Sequence, residues 1–233
     1  MLATPEARHI LGLAMILHPV FRALAAALVL FPLAAALSAC NGDESWHATN
    51  VTGVSPDLEF TMTRAEDGKE VTAADYRGKV TMLYFGYTFC PDICPTTLSN
   101  VAQILKGLGD EAGKVRVLFV TVDPDRDTPK VLNQYTDAFA PQFDGLIGTP
   151  DELAALARRY RIAYSVKPSN DPTKYEVSHS PAVYVFGDKG KARLLIGNIG
   201  QGTPDLKGLE ADLHRLINQG DRPGWFDWLQ GMV

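Results

Sequence analysis

Strands alternating with helices, bracketed by hairpin signals near both ends, predict an α/β domain: a mixed central sheet flanked by helices and opened by an N-terminal hairpin. Three features point there. Apolar runs at 80–84 and 115–122 are short enough to be buried strands. Helical spacing of apolar residues follows each run, and turn residues separate alternating apolar stretches at either end of the domain. Composition agrees with one globular unit plus an extension. The 233 residues are 46% hydrophobic and 21% charged, with 20 Gly and 15 Pro, which excludes collagen-like, coiled-coil and disordered chains. Lys and Arg total 22 against 27 Asp and Glu, a net charge of -5 with no basic block, so a general nucleic-acid binder is excluded and no nucleic-acid partner is expected.

The N-terminal segment 1–39 reads as an address. Residues 23–39 carry no charge, follow Arg22 and end in small residues, as a secretory signal does. The run falls short of the roughly 20 residues of a spanning helix and contains Pro32; an uncleaved anchor is the alternative. Leu37-Ser38-Ala39-Cys40 resembles the bacterial lipobox, which makes Cys40 the lipidation site, and Met15 a more typical start than Met1. Residues 40–56 lack apolar periodicity and contain Gly42 and Gly53, the composition of a flexible tether.

The domain proper spans 57–220. Leu58, Phe60 and Met62 alternate with polar residues and Asp67-Gly68 offers a turn before Val71, which predicts the opening hairpin. After the strand at 80–84, Leu98, Val101, Leu105 and Leu108 recur at helical spacing beyond Pro95, and Gly109 ends the pattern. The 115–122 strand is followed by Asp127-Thr128-Pro129, a capping side chain with proline at a helix start, and by Leu132, Tyr135 and Phe139. A short strand at Leu146 and Ile147 and a helix opened by Pro150 through Leu153, Leu156 and Tyr160 come next. Strands at 182–186 and 192–196 flank Gly187-Asp188-Lys189-Gly190 as a hairpin, and Leu206, Leu209, Leu213 and Leu216 make the last helix amphipathic. The tail 221–233 concentrates Trp225, Phe226 and Trp228, which reads as packing against the domain, with interfacial membrane contact as the alternative.

Three cysteines are too few for a disulfide scaffold, so each is read by its neighbourhood. Cys90 and Cys94 lie four residues apart where a strand gives way to a helix. Four residues of helix rise about 6 Å, within reach of one disulfide or one shared metal. Helix-start N–H groups stabilise thiolates, the form that attacks disulfides and ligates metals. Pro91 and Pro95 restrict the loop and preorganise the pair. A small structural disulfide is the competing reading, but so short a loop constrains little of the unfolded chain.

These residues carry a resemblance. Cys90-Pro91-Asp92-Ile93-Cys94-Pro95, the preceding Tyr84-Phe85-Gly86-Tyr87-Thr88, and Val122-Asp123-Pro124-Asp125-Arg126-Asp127-Thr128-Pro129 resemble the Sco/SenC family of copper-binding proteins of cytochrome c oxidase assembly, over about 58–219. The resemblance implies a thioredoxin-like fold and copper bound by Cys90, Cys94 and a distant histidine. Of five histidines, His9 and His18 fall in the signal, His47 in the tether and His214 on the last helix. His179 occupies the place of the family's ligand, in Val177-Ser178-His179-Ser180-Pro181. Ser178 stands where the family commonly has an acidic residue, and Pro181 is unusual there. Ser180-Pro181 before an apolar strand is closer to thioredoxin, and predicts a cis bond that brings this loop to the cysteines.

Two thiolates and one imidazole suit Cu(I), whereas Cu(II) would want a further ligand. Zinc fits the same set, so the choice of copper comes from the resemblance. By the resemblance the segment 123–127 orients the site or supplies partner contacts; otherwise it merely ends a strand and caps a helix. The resemblance implies a membrane-tethered copper metallochaperone, rather than an enzyme, that delivers copper to the binuclear copper site of cytochrome c oxidase. Its expected partners are the oxidase's copper-bearing subunit, a copper donor or thiol reductant protein, and the membrane through a lipid anchor. The expected location is the periplasmic face of a bacterial envelope, at the inner membrane. A thiol-disulfide reductase, using Cys90 and Cys94 as a redox-active pair on the oxidase's copper-ligand cysteines, is the alternative.

Overall fold

The structure, a computed structural model, describes residues 45–167, 169–170, 175–197 and 199–220. In chain order it runs β1 (Thr49–Asn50), β2 (Thr61–Arg64), β3 (Glu70–Thr72), a 3-10 turn (Ala73–Tyr76), β4 (Val80–Gly86) and α1 (Ile93–Gly107). A second 3-10 turn (Gly109–Lys114), β5 (Val115–Thr121), α2 (Pro129–Asp137), β6 (Phe143–Ile147), α3 (Pro150–Arg159) and β7 (Tyr164–Lys167) follow. The chain then continues as β8 (Glu176–His179), β9 (Val183–Phe186), β10 (Ala192–Ile196) and α4 (Leu206–Gln219).

All seven residues of β4 are buried, and six of the seven in β5 are too. Such continuous burial is what a strand covered on both faces requires. The two pair in parallel from Val80 opposite Val115 to Gly86 opposite Thr121, and β6 joins β5 in the same sense. Parallel neighbours need a crossover, which α1 and α2 supply. Around this parallel centre the sheet is antiparallel, with the order β1-β10-β9-β4-β5-β6-β2-β3. A mixed sheet flanked by helices, in the thioredoxin-like arrangement, is thus realised, and its opening hairpin pairs Met62 with Val71.

Helix boundaries follow local chemistry. Thr128 caps α2 by accepting from the Val131 N–H, with Pro129 in the first turn. Thr149 and Glu152 close a reciprocal capping box on α3. Helix α1 buries Cys94, Leu98, Val101, Ile104 and Leu105 on one stripe. Beyond its end Gly109 takes φ +57, a left-handed conformation that a side chain would strain. The helix starts at Ile93, ahead of the expected start after Pro95. Pro95 is tolerated there because first-turn N–H groups have no intrahelical acceptor.

Two expectations are corrected, and one element is new. Residues 46–55, read as tether, are docked: β1 pairs with β10, and the Asp212 carboxylate accepts from the His47 and Ala48 N–H groups. Trp46 lies 4.0 Å from the Arg215 guanidinium, and Val51 is buried. Small apolar residues with backbone pairing do here what periodicity does elsewhere. The β7–β8 pair, a separate two-stranded sheet, was not expected at all. No peptide bond among the described residues is cis, so the Ser180–Pro181 bond is trans. The antiparallel pairing of β7 with β8, not a cis bond, brings this segment to the cysteines. The expected signal, Cys40, the start of the tether and the aromatic tail 221–233 lie outside the described residues.

Candidate metal centre

Strand β4 ends at Gly86, and the chain turns through 87–92 into α1, so the loop bearing Cys90 stands at the helix N-terminus. Asp92 is the N-cap residue but its side chain makes no capping bond. The Cys90 sulfur takes that place, accepting from the Cys94 N–H at 3.3 Å. Orphan N–H groups at a helix start are satisfied by the acceptor nearest to them, here a thiolate. Cys94, in the first turn, is fully buried and Cys90 nearly so, and both are free thiols.

His179 closes the triangle from the end of β8. Its Nε2 lies 3.1 Å from the Cys94 sulfur, and its Nδ1 lies 3.1 Å from the Ser180 carbonyl oxygen. A carbonyl can only accept, so Nδ1 carries a proton there, and Nε2 is the ring atom that faces the sulfurs. The rings of Tyr84 and Tyr87 meet the imidazole edge-on, with centroids at 5.8 and 5.9 Å, and hold its plane. Metal-ligand atoms of Cys90, Cys94 and His179 all fall within 4.8 Å of one another, the one such group of three among the described residues.

The two sulfurs are electrostatically unequal. The Cys90 thiol is drawn down to about 4, first by the hydrogen bond from the Cys94 thiol and further by His179 and helix-start N–H groups, against the opposing effect of burial. Cys94 is pushed far up, because its proton is engaged by the Cys90 sulfur and because it is buried. The pair is therefore one thiolate and one thiol sharing a hydrogen bond, with the His179 imidazole alongside. A soft cation that displaces the shared proton finds two sulfurs and one nitrogen already facing each other.

The segment 123–127 does more than end a strand. Thr128, not Asp127, caps α2. Asp127 is fully buried and accepts from the Thr88 N–H at 3.0 Å, the Thr88 hydroxyl at 2.5 Å and the Thr121 hydroxyl at 2.6 Å. It thereby bolts the cysteine loop to the end of β5. Burial pushes its carboxyl up, against the pull of these three donors. Nothing in the spacing marks this role; the Asp-Thr-Pro string disguises it as a cap. His214 pairs with Glu111 on the surface and His47 with Asp212, so neither joins the site.

The family model for SCO1/SenC matches residues 54–215. The mitochondrial SCO2 homolog of Bos taurus is 41% identical over 125 residues, which cover 53% of this chain and 47% of that protein. The chain spans about half the length of the curated relatives it matches. Among solved structures, Bradyrhizobium japonicum ScoI with copper bound is 35% identical, with TM-score 0.61, over 70% of this chain and 99% of that one. BsSco, for which a disulfide switch is described, is a member of the Sco family of cytochrome c oxidase assembly proteins. It is 25% identical, with TM-score 0.54, over 70% of this chain and 95% of that one. With a family match over most of its length and a preformed Cys-Cys-His cluster, the chain belongs to the SCO1/SenC family.

Proposed function

We propose that the protein is a copper metallochaperone that binds Cu(I) through Cys90, Cys94 and His179 and passes it to the binuclear copper site of cytochrome c oxidase. The convergence of the three ligand atoms within 4.8 Å is the observation that carries this reading. Two soft sulfurs and one imidazole nitrogen, with no carboxylate in the cluster among the described residues, favour the cuprous ion over harder cations. Copper-bound relatives in the family support the choice of cargo. Copper leaves by ligand exchange with the acceptor's own thiolates, so Cys90 and Cys94 must be reduced to load it. A disulfide between them would remove two of the three ligands. Partners in this reading are the copper-bearing oxidase subunit and a donor of copper or of reducing equivalents.

Residues 1–39 act as a lipoprotein signal and Cys40 carries the lipid, placing the domain on the periplasmic face of a bacterial inner membrane. No helix among the described residues is long and apolar enough to cross a membrane. The chain is docked from Trp46 onward, so no tether extends past that point.

A second reading, reduction of the oxidase's copper-ligand cysteines, is favoured by the depressed Cys90 thiol, which suits a nucleophile. His179 separates the two. Copper is measured in the reduced, anaerobically purified protein beside His179→Ala, together with oxidase assembly in cells carrying each variant. Loss of both copper and assembly in His179→Ala supports the chaperone. Assembly that survives His179→Ala but fails in Cys90→Ser or Cys94→Ser overturns it in favour of the reductase.

A further inference from the structure

His179 is carried by a pair of strands that stands outside the main sheet, and an isolated two-stranded pair is marginal in water. Its placement therefore depends on what grips it. Downstream of β8 the grip is the Ser180 N–H on the Ala163 carbonyl, at 2.9 Å. Upstream it is Tyr175, which immediately precedes the strand. The Arg126 guanidinium lies over the Tyr175 ring at 3.8 Å and its Nη1 donates to the Tyr175 carbonyl at 3.3 Å. The Tyr175 hydroxyl donates to Asp123, whose other oxygen accepts from Arg126 Nε at 2.5 Å.

The same guanidinium also meets the cysteine loop, 4.9 Å from the Phe89 ring and 5.9 Å from the Tyr87 ring. Arg126 is itself fixed. Its N–H and that of Asp127 both donate to the Asp123 carbonyl, and the Asp123 N–H donates to the Thr121 hydroxyl at the end of β5. With 13% of its side chain exposed, Arg126 pairs with a nearly buried Asp123 in a shielded setting, where a flat cation stacked on aromatic rings is held firmly. One side chain thus joins the loop that carries Cys90 to the strand that carries His179.

We propose that Arg126 is a positioning residue: it clamps Tyr175 against the cysteine loop and so sets the imidazole of His179 on the two sulfurs before copper arrives. The inference rests on the copper reading for its consequence but not for its geometry, and the two are separable by experiment. In the metal-free, reduced protein, the His179 ring protons carry ring-current shifts from Tyr84 and Tyr87. In Arg126→Ala these shifts collapse toward the values of a free imidazole. Arg126→Lys keeps a charge for Asp123 but not the flat surface for Tyr175, and shows the same collapse.

With copper, Arg126→Ala weakens Cu(I) retention against a competing chelator by about tenfold, an ordinary coupling for side chains in one network. In a His179→Ala background the same substitution changes retention by less than about twofold, because the group it positions is gone. Equal losses in both backgrounds, or unchanged His179 ring shifts in Arg126→Ala, overturn the proposal. Wild-type ring shifts in Arg126→Lys overturn the stacking that it requires. Should Arg126→Ala fail to fold, Arg126→Lys carries both measurements. If the wild-type protein binds no copper, the chaperone reading fails while the ring shifts still decide what Arg126 does.

Discussion

Replacing Gly86 by alanine tests how tightly fold and site are coupled. Gly86 closes β4, directly beneath the cysteine loop. An added Cβ would stand 2.6 Å from Phe119 Cε2, 2.9 Å from Phe119 Cζ and 2.9 Å from the Cys94 sulfur. All three approaches are inside van der Waals contact, so something must move. Phe119 cannot swing aside, because it is fully buried with its ring centroid 5.9 Å from that of Tyr84 and 5.5 Å from that of Tyr135. Cys94 is fully buried as well and its sulfur is held toward His179. Forcing one methyl into a packed core of this kind costs about 1–3 kcal/mol. The displaced sulfur also leaves its 3.1 Å contact with His179 Nε2, so copper retention falls together with stability. Urea unfolding of the metal-free, reduced protein reads the first effect, and chelator competition for Cu(I) reads the second. Phe119→Leu added to Gly86→Ala relieves the ring contact but not the sulfur contact, so the two substitutions are less than additive in stability while copper retention stays low. A Gly86→Ala protein with the wild-type urea midpoint and wild-type copper retention would refute this reasoning.

Further outcomes are expected elsewhere in the molecule. Cys90, drawn down to about 4, should still react with iodoacetamide at pH 6, where an ordinary thiol near 8.5 is almost fully protonated; Cys94→Ala removes the principal donor and shifts the rate profile to higher pH. Asp127, pushed up by burial, binds its proton more tightly folded than unfolded. Its contribution therefore weakens as pH rises from about 4, the ordinary carboxylate value, through its raised folded value, and urea midpoints of Asp127→Asn should lack that component of the decline. Asp212→Ala leaves the His47 and Ala48 N–H groups without their acceptor, at a cost of about 1–3 kcal/mol if they stay buried. Amide exchange at Val51, which donates to the Arg193 carbonyl, should accelerate as the N-terminal strand loosens.

The central sheet and four helices were legible in the sequence because burial imposes period and composition. Val80–Gly86 and Val115–Thr121 are mostly apolar, broken only by Thr81, Arg116 and Thr121, and the capping residues at Thr128 and Thr149 sit beside prolines that mark helix starts. The β7–β8 pair was not legible, since Tyr-Ser-Val-Lys and Glu-Val-Ser-His are short and mostly polar, and β7 exposes three of its four residues. Strand β1 is two exposed residues long and draws its hold from Asp212, far along the chain. At the site, the cysteine spacing signals paired chemistry by itself. His179, 85 residues from Cys94, is tied to it by no periodicity, and only the family resemblance picked it out. Arg126 lies in the 123–127 segment that the resemblance marked, but Tyr175 was missed, because the contact between them is made in three dimensions between segments far apart in the chain.

X-ray absorption at the copper edge of the reduced, Cu(I)-loaded protein, beside His179→Ala, tests the three-ligand centre most directly. The wild-type spectrum should fit two sulfur scatterers and one imidazole nitrogen, and the His179→Ala spectrum should lose the imidazole contribution while keeping both sulfurs. An imidazole contribution that persists without His179, or a wild-type ion bound by sulfur alone, would contradict the account.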